Sequence, residues 1–324
     1  MIIPMEKYVY QMFILGVENS YEALKKGLGG VIFFAKDIKS EESLHEKIAE
    51  IKSKSSYLPN IYPPFISIDQ EGGRVERTES IRPKRLSAKY AFEKGEEFLK
   101  IQSEEISKEL SEWGFNLNFA PCADVNTNPD NPIIGERSFS DNPDEVIKGV
   151  NIFVEASRKY GIIPRVKHFP GHGDADKDSH LTLPKIDLTL DEMEKTHIKP
   201  FKYAVEGGIE MIMAAHLHCT CFDKDIIPAS LSKNAIGYLR NTLGYDGVII
   251  SDDMVMKGVQ KYGSLEACVM GINAGLDMFI FRDADEETLK VIDDLVKLAE
   301  RDENLKEKVM KSYERIITLK KRSF

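Results

Sequence analysis

The sequence predicts an α/β chain folded as a (β/α)8 TIM-type barrel, a single domain over residues 1–324. Three observations carry that prediction. Short apolar runs recur along the chain, longer amphipathic or charged stretches separate them, and most runs start roughly 30–50 residues apart, the size of a βα unit with loop insertions. The runs fall at residues 12–17, 31–34, 65–68, 117–120, 163–166, 211–214, 248–250 and 278–281. Each is apolar on both faces, as a parallel strand buried between a barrel interior and covering helices must be.

Helices are expected at 43–52, 96–112, 144–160, 190–206, 232–243, 264–274 and 286–300, with a last one at 304–321. The second shows the pattern: Phe98, Leu99, Ile101, Ile106 and Leu110 follow a broken three-to-four spacing. The last offers Val309, Tyr313, Ile316, Ile317 and Leu319 for packing and is expected to close the outer wall. Eight βα units close naturally into a barrel of ~250 residues or more. A doubly wound open sheet is the alternative. The number of runs and the absence of a nucleotide fingerprint favour the barrel, since GLGG at 27–30 lacks the GK[ST] ending of a phosphate loop and reads as a turn.

Composition narrows the function classes. A hydrophobic fraction of 42% supplies a sizeable core, and a net charge of −9 argues against nucleic-acid binding or adhesion to an anionic membrane. The N-terminal stretch MIIPMEKYVYQMFILGV lacks the basic start, apolar run and cleavage site of a signal peptide. No segment approaches the ~20 apolar residues that span a bilayer. Four cysteines, Cys122, Cys219, Cys221 and Cys268, are too few for a disulfide framework in a chain this long. A cytoplasmic location is therefore expected.

Unusual polar residues cluster where the apolar runs end. FISIDQEGGRVER places Asp69 after one run, and FAPCADVN places Asp124 after the next, followed by Arg137 in NPIIGERSF. IPRVKHFPGHG brings Lys167 and His168 to a run's end and leads into a glycine-rich loop. MIMAAHLH puts His216 at the next end, and GVIISDDM puts Asp252 and Asp253 at another. In a parallel barrel these ends share one face, where active sites are built. No GxSxG nucleophile elbow is present. Carboxylates with cationic and polar donors suit a hydroxyl-rich substrate and attack at an anomeric carbon.

The blocks QEGGRV, NPIIGERSF, KHFPGHG with a later DSH, and SDD-M resemble the signature motifs of glycoside hydrolase family 3. The resemblance runs from GGVIFFAKDI at 29–38 to the final helix and is closest to the single-domain bacterial β-N-acetylglucosaminidases of cell-wall recycling. It implies a (β/α)8 barrel and a two-step retaining mechanism. Asp252 would be the nucleophile, and His180, assisted by Asp178, the general acid/base. Asp253 would have a structural or hydrogen-bonding role. Asp69, Arg77, Arg137, Lys167 and His168 would bind the sugar. The implied substrate is an N-acetylglucosamine-containing oligosaccharide or muropeptide, with no cofactor and no metal. Larger family members carry a second, sandwich-like domain, which is not expected in these 324 residues.

The dyad makes physical sense. Most retaining glycosidases use a second carboxyl group as acid/base. A histidine titrates near neutrality, and a carboxylate partner fixes its tautomer. Other readings remain open: phosphorolysis of the same glycosides, a β-glucosidase, or a non-catalytic sugar-binding barrel. A zinc cluster of His168, His172 and His180, helped by His216, His218, Cys219 and Cys221, is disfavoured, because Pro170 and Gly171 keep the H-x3-H spacing off a regular helix face. His172 is expected to hold its loop through hydrogen bonds, Asp124 to be structural, and Cys219 and Cys221 to be ordinary, partly buried thiols.

Overall fold

A computed structural model of the chain describes residues 3–55, 62–175 and 183–324. Ten strands are present among them: β1 (Phe13–Gly16), β2 (Gly30–Phe33), β3 (Phe65–Ile68), β4 (Leu117–Asn118), β5 (Ile163–Phe169), β6 (Lys185–Ile186), β7 (Met211–Ala214), β8 (His218–Cys219), β9 (Val248–Asp253) and β10 (Met278–Phe281). Eight of them close a parallel barrel in the order β1-β10-β9-β7-β5-β4-β3-β2, while β6 and β8 form a separate parallel pair. Every barrel strand is followed by at least one helix before the next, so this is the (β/α)8 architecture the apolar runs predict. Closure leaves no barrel strand with an unpaired edge.

Apolar strand residues pack against the helical ring in one continuous core, with Phe13, Phe65, Phe169, Phe201, Phe279 and Phe281 among its largest buried side chains. Cutting one such ring to alanine costs about 3–5 kcal/mol. Local signals set the helix ends. Asn142 accepts a hydrogen bond from the Asp144 N–H and is followed by Pro143, whose missing N–H would be unpaired there anyway. The helix Glu96–Trp113 stops at Gly114, which takes the left-handed conformation at φ 96°.

Prolines account for two departures from the expected elements. The helix expected over 190–206 is two helices, Leu190–Lys195 and Lys199–Glu206. Pro200 lies at the start of the second, where its ring is tolerated and where it could not continue a preceding helix. Strand β4 is shorter than the run 117–120, since Pro121 offers no N–H to a ladder. The chain rejoins β5 through a parallel bridge between Cys122 and Lys167. The segment expected as a helix over 232–243 is α-helical over Lys233–Gly237 and continues as a π-turn over Tyr238–Thr242.

The last helix, Glu303–Ser323, closes the outer wall as expected, burying Leu305, Val309 and Ile316. It also sends Lys320 beneath the barrel, where the ammonium donates to Gln11 Oε1 and the Gly29 carbonyl, each at 2.8 Å. Among the described residues no helix is long and apolar enough to cross a membrane.

Candidate active site

Residues 165 and 167 share one face of β5, and both reach Asp69 just past the end of β3, two strands away, so this face looks into the barrel. Lys167 Nζ lies 2.7 Å from Asp69 and 2.5 Å from Glu71. Glu71 in turn holds the Arg137 guanidinium through two hydrogen bonds of 2.9 Å, a bidentate clamp. Arg165 is fully buried, donates to the Phe119 carbonyl at 2.8 Å, stacks over the Phe119 ring and sits 3.6 Å from Asp69.

The rim is thus an alternating set of buried charges. Burial opposes the charge on Glu71, but Arg137 and Lys167 outweigh it and hold the carboxyl well below the usual carboxylate range. Asp69 is likewise lowered, with Lys167, Arg77 and Arg165 overcoming burial. Arg77 sits in the turn after the Gly72–Val75 bridge, where its N–H donates to Gln70 Oε1. Its buried Nε has no partner among the described residues.

Asp124 organises the neighbouring corner. Its Oδ1 accepts the His172 N–H at 2.6 Å, and its Oδ2 faces His168 Nδ1 at 2.7 Å and the Cys122 thiol at 3.1 Å. The His168 N–H donates to both oxygens at 3.2 Å. Burial is again outweighed, chiefly by His168, and the carboxyl stays well below its ordinary value. Cys122, Asp124 and His168 have the spacing of a cation site, yet these protein donors already account for the carboxylate. Asp124 thus ties the strand end at Cys122 to the His168–His172 loop.

His172 holds its loop through hydrogen bonds, as expected of it. Its loop is held by its backbone, through the bond to Asp124 and through Asn131 Nδ2 donating to its carbonyl at 2.8 Å. The ring nitrogens are buried without a partner among the described residues. Burial, aided by His168, pushes its pKa down to about 4, so near neutrality the imidazole is an uncharged packing group. The same loop presses on its neighbour at Gly173, where a Cβ would lie 1.7 Å from the Val125 carbonyl oxygen.

Asp252 lies within β9, which runs on to Asp253 and brings the carboxylate to the rim. The side chain is half-buried, and the Asp253 N–H donates to its Oδ1 at 2.7 Å. Burial would raise its pKa, but His168, His216, that N–H and Arg165 hold it well below the usual range, so it is a carboxylate at any working pH. Asp253 turns elsewhere and pairs with Arg282 just past β10.

The structure therefore brings Asp252, Asp69, Arg77, Arg137, Lys167 and His168 to one end of the barrel. Asp178 and His180 lie outside the described residues. Sequence reasoning missed Glu71 and Arg165. Glu71 stands two places after the singled-out Asp69. Arg165 is a lone cation inside an apolar run, which was the available signal. Cys219 is buried and Cys221 half-buried, with their sulfurs 3.2 Å apart.

Fold and rim together define a (β/α)8 barrel with a carboxylate-rich site at the carboxyl ends of its strands. The profile of the family described as "Glycosyl hydrolase family 3 N terminal domain" matches residues 6–319, and the chain belongs to glycosyl hydrolase family 3. It is 34% identical to the β-hexosaminidase A of Pseudoalteromonas piscicida over 78% of this chain and 45% of that protein. It is 32% identical to a β-hexosaminidase of Tolumonas auensis over 78% of this chain and 75% of that one. The solved family 3 β-N-acetylglucosaminidase of a Paenibacillus species superposes with a TM-score of 0.93 at 30% identity, covering 99% of this chain and 63% of that one. The chain thus spans less than two thirds of the Pseudoalteromonas and Paenibacillus proteins.

Proposed function

We propose that this chain is a cytoplasmic, retaining β-N-acetylglucosaminidase acting on terminal N-acetyl-β-glucosaminides, including peptidoglycan fragments. The observation that carries the reading is Asp252, a carboxylate held ionised at the rim beside the Asp69–Lys167–Glu71–Arg137 network. The family membership and the activities printed for its relatives support the same reading.

In this mechanism an Asp252 oxygen attacks the anomeric carbon from the face opposite the leaving group. The bond to the aglycone oxygen breaks as that oxygen takes a proton from His180, leaving a glycosyl ester on Asp252. Water then attacks the same carbon, giving its proton to His180, and Asp252 departs as a carboxylate. Asp178 orients the His180 ring and stabilises its protonated form. Asp69 and Lys167 bind sugar hydroxyls, while Arg77, Arg137 and His168 line the pocket for the ring and its substituents. Glu71 keeps Arg137 and Lys167 in place, so the pocket is shaped before substrate enters.

Release of nitrophenol from p-nitrophenyl N-acetyl-β-glucosaminide, compared with the β-glucoside, tests the reading. Rapid release from the first alone, with the β-anomer as first product by NMR, is the expected result. Preference for the glucoside overturns the sugar assignment. Formation of the sugar 1-phosphate in phosphate buffer makes the protein a phosphorylase, and binding without turnover makes it a sugar-binding barrel.

A further inference from the structure

His216 belongs to none of the roles above, and its surroundings are unusual. Strands β7 and β9 pair in parallel with Met213 opposite Ile250 and Ala214 opposite Ser251. Two places further along that register His216 stands level with Asp253, directly beside Asp252. The side chain is 1% exposed. Its Nδ1 lies 2.7 Å from Ser230 Oγ, and Ser230 is itself fully buried, tied to the residue just past β7 by its N–H donating to the Ala215 carbonyl at 3.1 Å. Its Nε2 is buried and has no partner among the described residues. A buried imidazole nitrogen left unpaired is costly, so one that persists beside a reacting group calls for an explanation.

The charges around the ring decide its tautomer. The Asp252 carboxylate and the backbone carbonyls of Asp252 and Asp253 all act on it, and each favours a proton there. One neutral tautomer aims an Nε2–H at those oxygens while Nδ1 accepts the Ser230 hydroxyl. The other aims a lone pair at them and is repelled. The first is favoured. Burial lowers the pKa against the pull of Asp252, so the ring donates as a neutral imidazole.

We infer that His216, held by Ser230, is a positioning residue that directs a hydrogen-bond donor at Asp252 and stabilises its charge as it leaves the sugar. The inference rests on Asp252 being the nucleophile. A donor aimed at a carboxylate binds most strongly when the charge is complete. During attack Asp252 loses charge, so the donor holds the starting carboxylate more firmly than the transition state and does not lower that barrier. During hydrolysis of the glycosyl ester the charge returns on Asp252, and the donor lowers the barrier of that step. Loss of His216 therefore slows the second step more than the first, so the glycosyl ester accumulates.

The test uses the whole chain and dinitrophenyl N-acetyl-β-glucosaminide, whose leaving group makes the first step fast. His216→Phe is expected to lower kcat about 100-fold. It should lower KM as well and show a burst of dinitrophenol before the slow steady state. His216→Gln, whose amide N–H reaches to a similar place, should recover at least about tenfold of that loss. Ser230→Ala, which keeps the ring and serves if His216→Phe fails to fold, should show the same signature at about tenfold. Melting curves show which variants are folded. Wild-type kcat in a folded His216→Phe, or a fall in kcat with KM unchanged and no burst, overturns the inference. Asp252→Asn in the same series separates the two readings: if it turns over as wild type, the nucleophile assignment falls and this inference with it.

Discussion

The two ends of the barrel each bury a lysine, and they treat it in opposite ways. At the carboxyl ends of the strands Lys167 is clasped by two carboxylates, those of Asp69 and Glu71. At the other end the partners of Lys320 among the described residues are neutral: the Gln11 amide oxygen, the Gly29 carbonyl and the Phe65 ring. Burial pushes the Lys320 ammonium well below the ordinary lysine pKa. The same side chain thus serves two purposes. Beneath the barrel it is a hydrogen-bonding plug that can function uncharged. At the rim it is paired with two carboxylates inside a balanced network, and that balance is what a preorganised polar site requires.

Substitutions probe this contrast, and the largest effect is expected at the rim. Asp252→Asn should lower kcat by about 10,000-fold or more, because an amide cannot form the glycosyl ester. The loss should persist with activated aryl glycosides, for which a good leaving group would otherwise compensate a missing acid. Next comes Glu71→Gln. It leaves Lys167 and Arg137 short of a counter-charge, and breaking a buried pair from one side costs about 3–5 kcal/mol of stability. A lower melting temperature and a fall in kcat/KM of about 100-fold are expected. If this variant behaves as wild type, the clasp has no part in shaping the pocket.

Acid provides a third probe. The carboxyls of Asp69, Glu71, Asp124 and Asp252 all sit below their ordinary values in the fold. An unfolded chain therefore binds more protons than the native one below about pH 4, and stability falls as the pH drops through that range. Above it their contribution is complete, so melting temperatures should be flat from these groups near neutrality and decline steeply in acid. Glu71→Gln should make that decline shallower.

The smallest effect belongs to the other end of the barrel. Because Lys320 is lowered in the fold, the unfolded chain takes up its proton more readily. Native stability should then rise as the pH climbs toward the ordinary lysine value of about 10.4. Lys320→Met should flatten that slope while leaving kcat/KM unchanged. A large loss of activity in Lys320→Met would abolish the distinction between a structural end and a chemical end.

What the sequence revealed follows the same division. Barrel strands were legible because burial on both faces demands unbroken apolar runs, and the runs at 65–68, 211–214 and 278–281 coincide with β3, β7 and β10. Elements were misread where a proline acts through what it lacks, as at Pro121 and Pro200. The rim residues were legible as polar side chains at strand ends, and Asp252, Lys167 and His168 stand where that rule places them. Glu71 escaped because its importance lies in meeting Arg137, 66 residues away, which no local pattern encodes. Arg165 escaped because it lies inside a strand, where attention goes to apolar neighbours. The hydrogen bonds expected of His172 are made by its backbone, a detail that the residue type alone does not specify.

The account stands or falls on the bond Asp252 makes. Incubation with a fluorinated N-acetylglucosaminyl fluoride, whose glycosyl ester hydrolyses slowly, followed by peptide mass spectrometry, reads that bond directly. A gain of one fluorinated sugar on the peptide containing Asp252, absent in Asp252→Asn, is the predicted result. A sugar attached to a different residue, or turnover of the reagent with no covalent adduct and an inverted product, would contradict it.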